Sequence, residues 1–181
     1  MQADPSSTID GVQILPLVDH ADRRGALLEI YRREWLGHGE HAVQANLSMS
    51  RAGVLRGLHW HRRQRDYWCV LDGRAFVALV DVRSGSPTSG TTLQLRVDSS
   101  EQRFGIAIPP GVAHGFFAET DVSLLYLVDR YYRGDDEFGL AWDDADLPID
   151  WPTREPILSD RDRSNPPLSS VLRQTQDQPL G

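Results

Sequence analysis

The sequence predicts an all-β fold, an antiparallel sandwich or barrel, on three observations. Nine short apolar segments rich in β-branched or aromatic residues follow one another: VQILPLV, ALLEIY, AVQANLSMS, VLRGLHW, YWCVLDGRAFVALVDVR, TTLQLRV, FGIAIPP, GVAHGFFAE and VSLLYLVDRYY. Turn clusters such as SGSPTSG and PPG separate them. Asp72-Gly73 lies between two apolar runs, the pattern of a tight hairpin. Many short strands at regular spacing close best as a sandwich or barrel.

Each element follows from local chemistry. The first two segments are brief strands, and the third leads into VLRGLHW, Val54 to Trp60. There, alternation places His59 and His61 on one strand face. The same alternation puts Arg56 on the opposite face, so a shared cleft requires a bulge, and Gly57 is the place for it. The long run after Asp66 turns at Asp72-Gly73, and the remaining strands end near Tyr132. From about Arg133 the chain is rich in Pro and Asp, and SDRDR and SSVLRQ are expected to form short helices there. The last residues, QTQDQPLG, are expected to fray. Residues 1–181 are read as a single domain, with 133–181 a partly irregular segment packing on the barrel.

Composition excludes several classes of chemistry. All nineteen basic residues are arginine. Schiff-base catalysis, pyridoxal phosphate attachment and a Walker phosphate loop all need a lysine and are ruled out. The single cysteine, Cys69, excludes an internal disulfide and a multi-cysteine zinc site, suits a reducing cytoplasm, and reads as a small core residue. No apolar run approaches the ~20 residues that span a bilayer, and MQADPSSTIDG lacks the pattern of a secretory signal. A net charge of −7 disfavours nucleic acid as a partner, and no membrane partner is expected.

One constellation carries chemistry. Gly53, five residues, His59-x-His61, four residues, Asp66, six residues and Gly73 follow the first motif of the cupin jelly roll, with aspartate for the usual glutamate. Pro109-x-Gly111, two residues and His114 give part of the second motif, which ends in Ala118 where asparagine is common. In metal cupins such a set binds one divalent ion, and three imidazoles with a carboxylate suit iron, manganese, nickel or zinc. The alternative is the same barrel without the ion.

Further motifs bear on that choice. DRRGALLEIY, VQANLSMS, GVLRGLHW, DVRSGSPTSG, IPPGVAHGF, LLYLVDRYY, EFGLAWDD, IDWP and LSDRD occur together and in order between about Asp10 and Leu168. The chain thereby resembles the dTDP-4-dehydrorhamnose 3,5-epimerase family, a metal-free branch of the cupin-type antiparallel jelly rolls. The resemblance implies epimerisation at C3, C5 or both of a dTDP-4-keto-6-deoxyhexose in deoxysugar biosynthesis, no cofactor, and a homodimer whose N-terminal strand crosses to the partner. It implies that His59 is the base, Asp162 the carboxylate that orients it, and Tyr126 the proton donor. It places Arg24, Glu29, Gln44, Asn46, Arg56, His114 and Glu137 against the sugar nucleotide, with Tyr132 flanking it and the arginines suited to diphosphate.

Asp66 is a departure: counted back from Gly73, its position usually holds a lysine expected to stabilise the enolate oxygen. Two other readings compete, a metal-dependent cupin enzyme using His59, His61, Asp66 and His114, and a binding module without turnover. No metal is expected. The reason is that His59 cannot abstract a proton with a nitrogen whose lone pair already binds an ion.

Overall fold

In the computed structural model, residues 8–36 and 41–177 are described. The strands are β1 (Gln13–Pro16), β2 (Asp19–Asp22), β3 (Gly25–Leu28), β4 (Gln44–Ser50), β5 (Leu55–Trp60), β6 (Asp66–Asp72), β7 (Arg74–Asp81), β8 (Thr92–Asp98), β9 (Phe104–Ile108), β10 (Val112–Ala118), β11 (Val122–Val128) and β12 (Phe138–Gly139). Two helices follow, α1 (Asp160–Arg163) and α2 (Leu168–Asp177), and short 3-10 turns lie at Arg33–Leu36 and Gly134–Asp136. One five-stranded sheet has the order β1-β9-β6-β11-β4, the other β12-β5-β10-β7-β8, and β2 with β3 forms a separate hairpin. All these strand pairs are antiparallel. This is the jelly-roll sandwich the sequence predicts.

The two sheets face each other across a core that alternation supplies. Val77, Leu79, Leu93, Leu95 and Val97 from one sheet meet Trp68, Val70, Ile106, Ile108 and Leu124 from the other. Each such side chain contributes about 1.5–3 kcal/mol by leaving water. The alternate residues of β7, namely Phe76, Ala78 and Val80, point to the other face of their sheet. There Leu140, Leu147, Leu168 and Val171 of the C-terminal segment cover them. A strand buried on both faces reads as a continuous apolar run, which is how RAFVALVD reads.

Asp72-Gly73 does not make a hairpin. β6 and β7 belong to different sheets and do not pair, so the chain crosses the sandwich at Gly73. A Cβ there would meet the Asp121 carbonyl oxygen at 2.0 Å, so the glycine serves a close approach of two backbones. The dipeptide marks a sharp corner and carries no information about which strands pair. Three further differences stand out. β2 and the two-residue β12 lie in stretches without a strand pattern. Gln174 to Asp177, expected to fray, form the last turn of α2, with Thr175 buried. Residues 178–181 lie outside the described residues.

Candidate active site

A cavity of about 490 Å³ opens between the sheets, lined by His59 and His114 from one and Gln44, Asn46, Asp66 and Tyr126 from the other. It is within the usual size of a small-molecule site. Arg56, His59 and His61 all line it, despite the alternation that should separate Arg56 from the histidines. The bulge at Gly57 resolves this. His114 stands opposite His59 and Phe116 opposite Arg56, so three steps along β5 match two along β10. Gly57 has φ +126°, and a Cβ on it would lie 2.7 Å from Gly115 Cα and 2.9 Å from the His114 carbonyl oxygen. Only glycine fits that position.

His59 Nε2 lies 2.7 Å from Asp162 Oδ1. The aspartate sits in α1, whose N-cap Ser159 accepts a hydrogen bond from the Asp162 amide at 3.1 Å. Burial pushes the Asp162 carboxyl up, but the hydrogen bond and charge of His59, with help from the Gly57 amide and Ser159, hold it below the usual range. An ionised Asp162 accepts Nε2–H, which leaves the lone pair on Nδ1. Nδ1 is 3.9 Å from Glu137 Oε1. Burial also raises Glu137, and the Arg161 guanidinium, 2.7 Å away, outweighs it and keeps the acid ionised.

Tyr126 faces the same space from β11, in the other sheet. Burial pushes its phenol up, and the Asp66 and Glu137 carboxylates add to the effect, so it is protonated near neutrality. Its neighbour across the ladder is Asn46, whose Oδ1 accepts from Gln44 Nε2 at 2.9 Å. Arg56 Nε donates to Ser50 Oγ at 2.8 Å. Tyr132 is 65% exposed and lines the cavity, so it is not a core residue.

Asp66 is 4% exposed, and its oxygens accept from Gln64 Nε2 at 2.8 Å and Trp68 Nε1 at 3.2 Å. His114 Nε2 is 3.7 Å and His61 Nε2 4.0 Å from that carboxylate. Burial pushes the His114 imidazole down to about 4, against the opposing pull of Asp66, so it is neutral at pH 7. The four-residue constellation is therefore divided. His61, Asp66 and His114 bring ligand atoms within 4.8 Å of one another, and His59 is not among them.

Arg24 and Glu29 stand apart from this cavity. Arg24 is exposed and pairs with Asp22 within the β2–β3 hairpin, and Glu29 pairs with Arg32. Within one chain the expectation that both line the site is not met, because that hairpin joins neither large sheet. Sequence reasoning also missed Gln64, Trp68 and Arg161. Gln64 and Trp68 flank Asp66 at two-residue spacing, which was a usable signal; Arg161 carried none, because its partner Glu137 lies far along the chain.

Fold and site together define a jelly-roll protein of the cupin type with a histidine–carboxylate pair and a phenol facing one polar interior cavity. A sequence profile described as dTDP-4-dehydrorhamnose 3,5-epimerase matches residues 6–170. The dTDP-4-dehydrorhamnose 3,5-epimerase of Mycobacterium tuberculosis is 36% identical over 170 residues, 88% of this chain and 83% of that one. The dTDP-4-dehydrorhamnose 3-epimerase of Streptomyces niveus is 37% identical over 163 residues, 86% and 78% of the two chains. Among solved structures, a 3'-monoepimerase from Streptomyces bikiniensis in complex with dTDP-quinovose superposes with a TM-score of 0.83 at 31% identity, covering 96% of each chain. The chain belongs to the dTDP-4-dehydrorhamnose 3,5-epimerase family.

Proposed function

We propose that this protein epimerises a dTDP-4-keto-6-deoxyhexose at the carbons flanking the ketone, in deoxysugar biosynthesis. One observation supports the reading: a histidine held by a carboxylate and a protonated phenol approach one cavity from opposite sheets. Hydrogens on C3 and C5 are acidified by the C4 ketone. His59 Nδ1 takes one of them, leaving an enolate and an imidazolium that Asp162 stabilises. Tyr126 returns a proton to the same carbon from the opposite side, which inverts it. Proton exchange with solvent then resets both side chains.

Arg56 is the cation offered to the diphosphate, while Gln44, Asn46, His114, Tyr132 and Glu137 frame the remainder of the ligand, and Asp66 helps set the charge around it. Family relatives act on, or are solved with, such sugar nucleotides, among them a Legionella pneumophila epimerase in complex with dTDP-4-keto-L-rhamnose. Incubation with dTDP-4-keto-6-deoxyglucose in D₂O should give deuterium at C3, C5 or both by NMR. Failure to exchange either position in any dTDP-4-keto sugar would overturn the assignment.

The working unit in this reading is a homodimer. Leu27, Leu47 and Met49 are 69%, 56% and 73% exposed, a costly display for an isolated chain. Arg24 and Glu29 lie outside their own cavity and would serve a partner's. Light scattering should give twice the chain mass, and a monomer would refute it. The reading also places the enzyme in the cytoplasm, supported by a buried, unpaired Cys69 whose thiol burial pushes up to about 11. Among the described residues no helix is long and apolar enough to cross a membrane.

A further inference from the structure

We propose that His61, Asp66 and His114 form a seat for a primary ammonium group, so that the preferred substrate is a dTDP-4-keto-6-deoxy sugar with an amino group in place of the C3 hydroxyl. The inference rests on the reading of the cavity as a sugar-nucleotide site and narrows its substrate class. All three side chains line that cavity, and all are more than nine-tenths buried, His61 at 7% exposed and Asp66 and His114 at 4% each. His61 Nδ1 is 2.7 Å from the Asp136 carbonyl oxygen and His114 Nδ1 is 2.9 Å from that of Val112. A carbonyl only accepts, so each Nδ1 carries the hydrogen, and the neutral imidazoles turn their Nε2 lone pairs toward Asp66. Gln64 and Trp68 donate to the Asp66 oxygens, one to each, and a carboxylate oxygen accepts twice.

The cluster therefore offers acceptors to the cavity, and its natural complement is a donor that carries positive charge. Gln64 and Trp68 satisfy hydrogen bonds on Asp66, but both are neutral and leave its charge to be balanced. The chain has no lysine, and among the described residues lining the cavity the only arginine is Arg56, whose Nε donates to Ser50 Oγ. A primary ammonium matches the acceptors in number and in spacing. Its three hydrogens are tetrahedrally arranged, so acceptors about 2.8 Å from the nitrogen stand about 4.6 Å apart. His114 Nε2 is 3.7 Å and His61 Nε2 4.0 Å from the carboxylate, and the three ligand atoms lie within 4.8 Å of one another. A water offers two hydrogens and a sugar hydroxyl only one, so either leaves acceptors facing each other with no hydrogen between them.

Strand register sets this seat beside the reacting carbon. His114 lies directly across the ladder from His59, and Asp66 pairs with Val128, two residues from Tyr126 on β11. The cluster thus adjoins both the base and the proton donor. Of the two carbons flanking the ketone, C5 is bonded to the ring oxygen and to the methyl carbon. Only C3 carries a hydroxyl that an amine can replace. An ammonium there acidifies the C3 hydrogen and sets a cation beside the enolate oxygen, where the Asp66 carboxylate alone would oppose the developing charge.

The test reads binding without turnover. Calorimetry at pH 7, with EDTA present, compares three ligands that lack the ketone: dTDP, dTDP-6-deoxyglucose and dTDP-3-amino-3,6-dideoxyglucose. The amino sugar should bind about 10–100-fold more tightly than its hydroxyl counterpart, the worth of a charge-assisted hydrogen bond. In Asp66→Asn, which keeps the shape and removes the charge, the two sugars should bind within about 3-fold of each other. Binding of dTDP, which has no sugar to reach the seat, reports that the variant is folded, and His61→Gln repeats the comparison with a narrowed preference expected. Equal affinity of the wild type for the two sugars would overturn the seat and leave the epimerase reading standing. Failure to bind dTDP and both sugars would overturn the two together. Full preference for the amine in Asp66→Asn and His61→Gln would also overturn the seat, because the ammonium would then be held elsewhere.

Discussion

Gly57→Ala tests the feature on which the whole site depends. The bulge exists because Gly57 adopts φ +126° and lies against β10 without a side chain. A methyl group there would sit 2.7 Å from Gly115 Cα and 2.9 Å from the His114 oxygen, both backbone atoms that cannot rotate away. The left-handed conformation costs an alanine about 1–2 kcal/mol, and forced overpacking adds about 1–3 kcal/mol. The sum, about 2–5 kcal/mol, corresponds to a fall in Tm of about 10 °C for a chain of this length. Thermal denaturation followed by circular dichroism reads it directly. Gly85→Ala is the control, since nothing lies within 4 Å of a Cβ built there, and it should melt within about 2 °C of wild type. If Gly57→Ala also melts within about 2 °C of wild type, the close approach is not a constraint. The account of how Arg56 and His59 come to share a cavity would then be wrong.

Other perturbations separate the parts. Asp162→Asn replaces the carboxylate with a neutral amide whose NH₂ can donate to His59, so the tautomer is no longer fixed, and it should lower kcat by about 10²–10⁴-fold with little change in KM, read by steady-state kinetics. Arg56→Ala should instead act on KM, raising it about 10–100-fold through loss of charge-assisted hydrogen bonds to diphosphate. Asp81 is fully buried and bonded by Arg83, Ser86 and Thr88, so Asp81→Asn should cost about 3 kcal/mol at pH 7 in denaturant titrations. Burial raises the Asp81 carboxyl, but those partners outweigh it and hold the group below its ordinary 3.8. Its contribution is therefore full above that value and declines as pH falls below it, so the gap between variant and wild type should narrow in acid.

Much of the fold was legible because alternation and burial agree strand by strand. In β8, Leu93, Leu95 and Val97 are buried in step. In β5 the conflict between Arg56 and His59 under strict alternation points to Gly57 from the sequence alone. Ser159 likewise marked the start of α1. The pairing of strands was not legible. Asp72-Gly73 specifies a corner, but whether β6 and β7 pair depends on the Asp121 backbone, some fifty residues further on. β2 and β3 were equally hard to place, because their stability is local to an exposed hairpin and their apolar pattern is short.

Within the site, residue types were legible and their grouping was not. The HxH spacing puts His59 and His61 beside one cavity, as period-two alternation requires. Which carboxylate each histidine meets is set by distant segments. α1 brings Asp162 to His59, and the turn at Gly134–Asp136 offers a carbonyl to His61. A pattern of spacings along the chain therefore merged two side-chain clusters, His59 with Asp162 and His61 with Asp66 and His114, that the fold holds apart.

The central claim is that His59 abstracts the proton and Tyr126 returns one from the far wall. Deuterium wash-in and stereochemical inversion, followed together by NMR on dTDP-4-keto-6-deoxyglucose in D₂O, measure those two events separately. For His59→Ala the account predicts loss of both signals with nucleotide-sugar binding retained, and for Tyr126→Phe it predicts inversion slowed far more than wash-in. Exchange at the wild-type rate in His59→Ala would contradict it, as would unimpaired inversion in Tyr126→Phe.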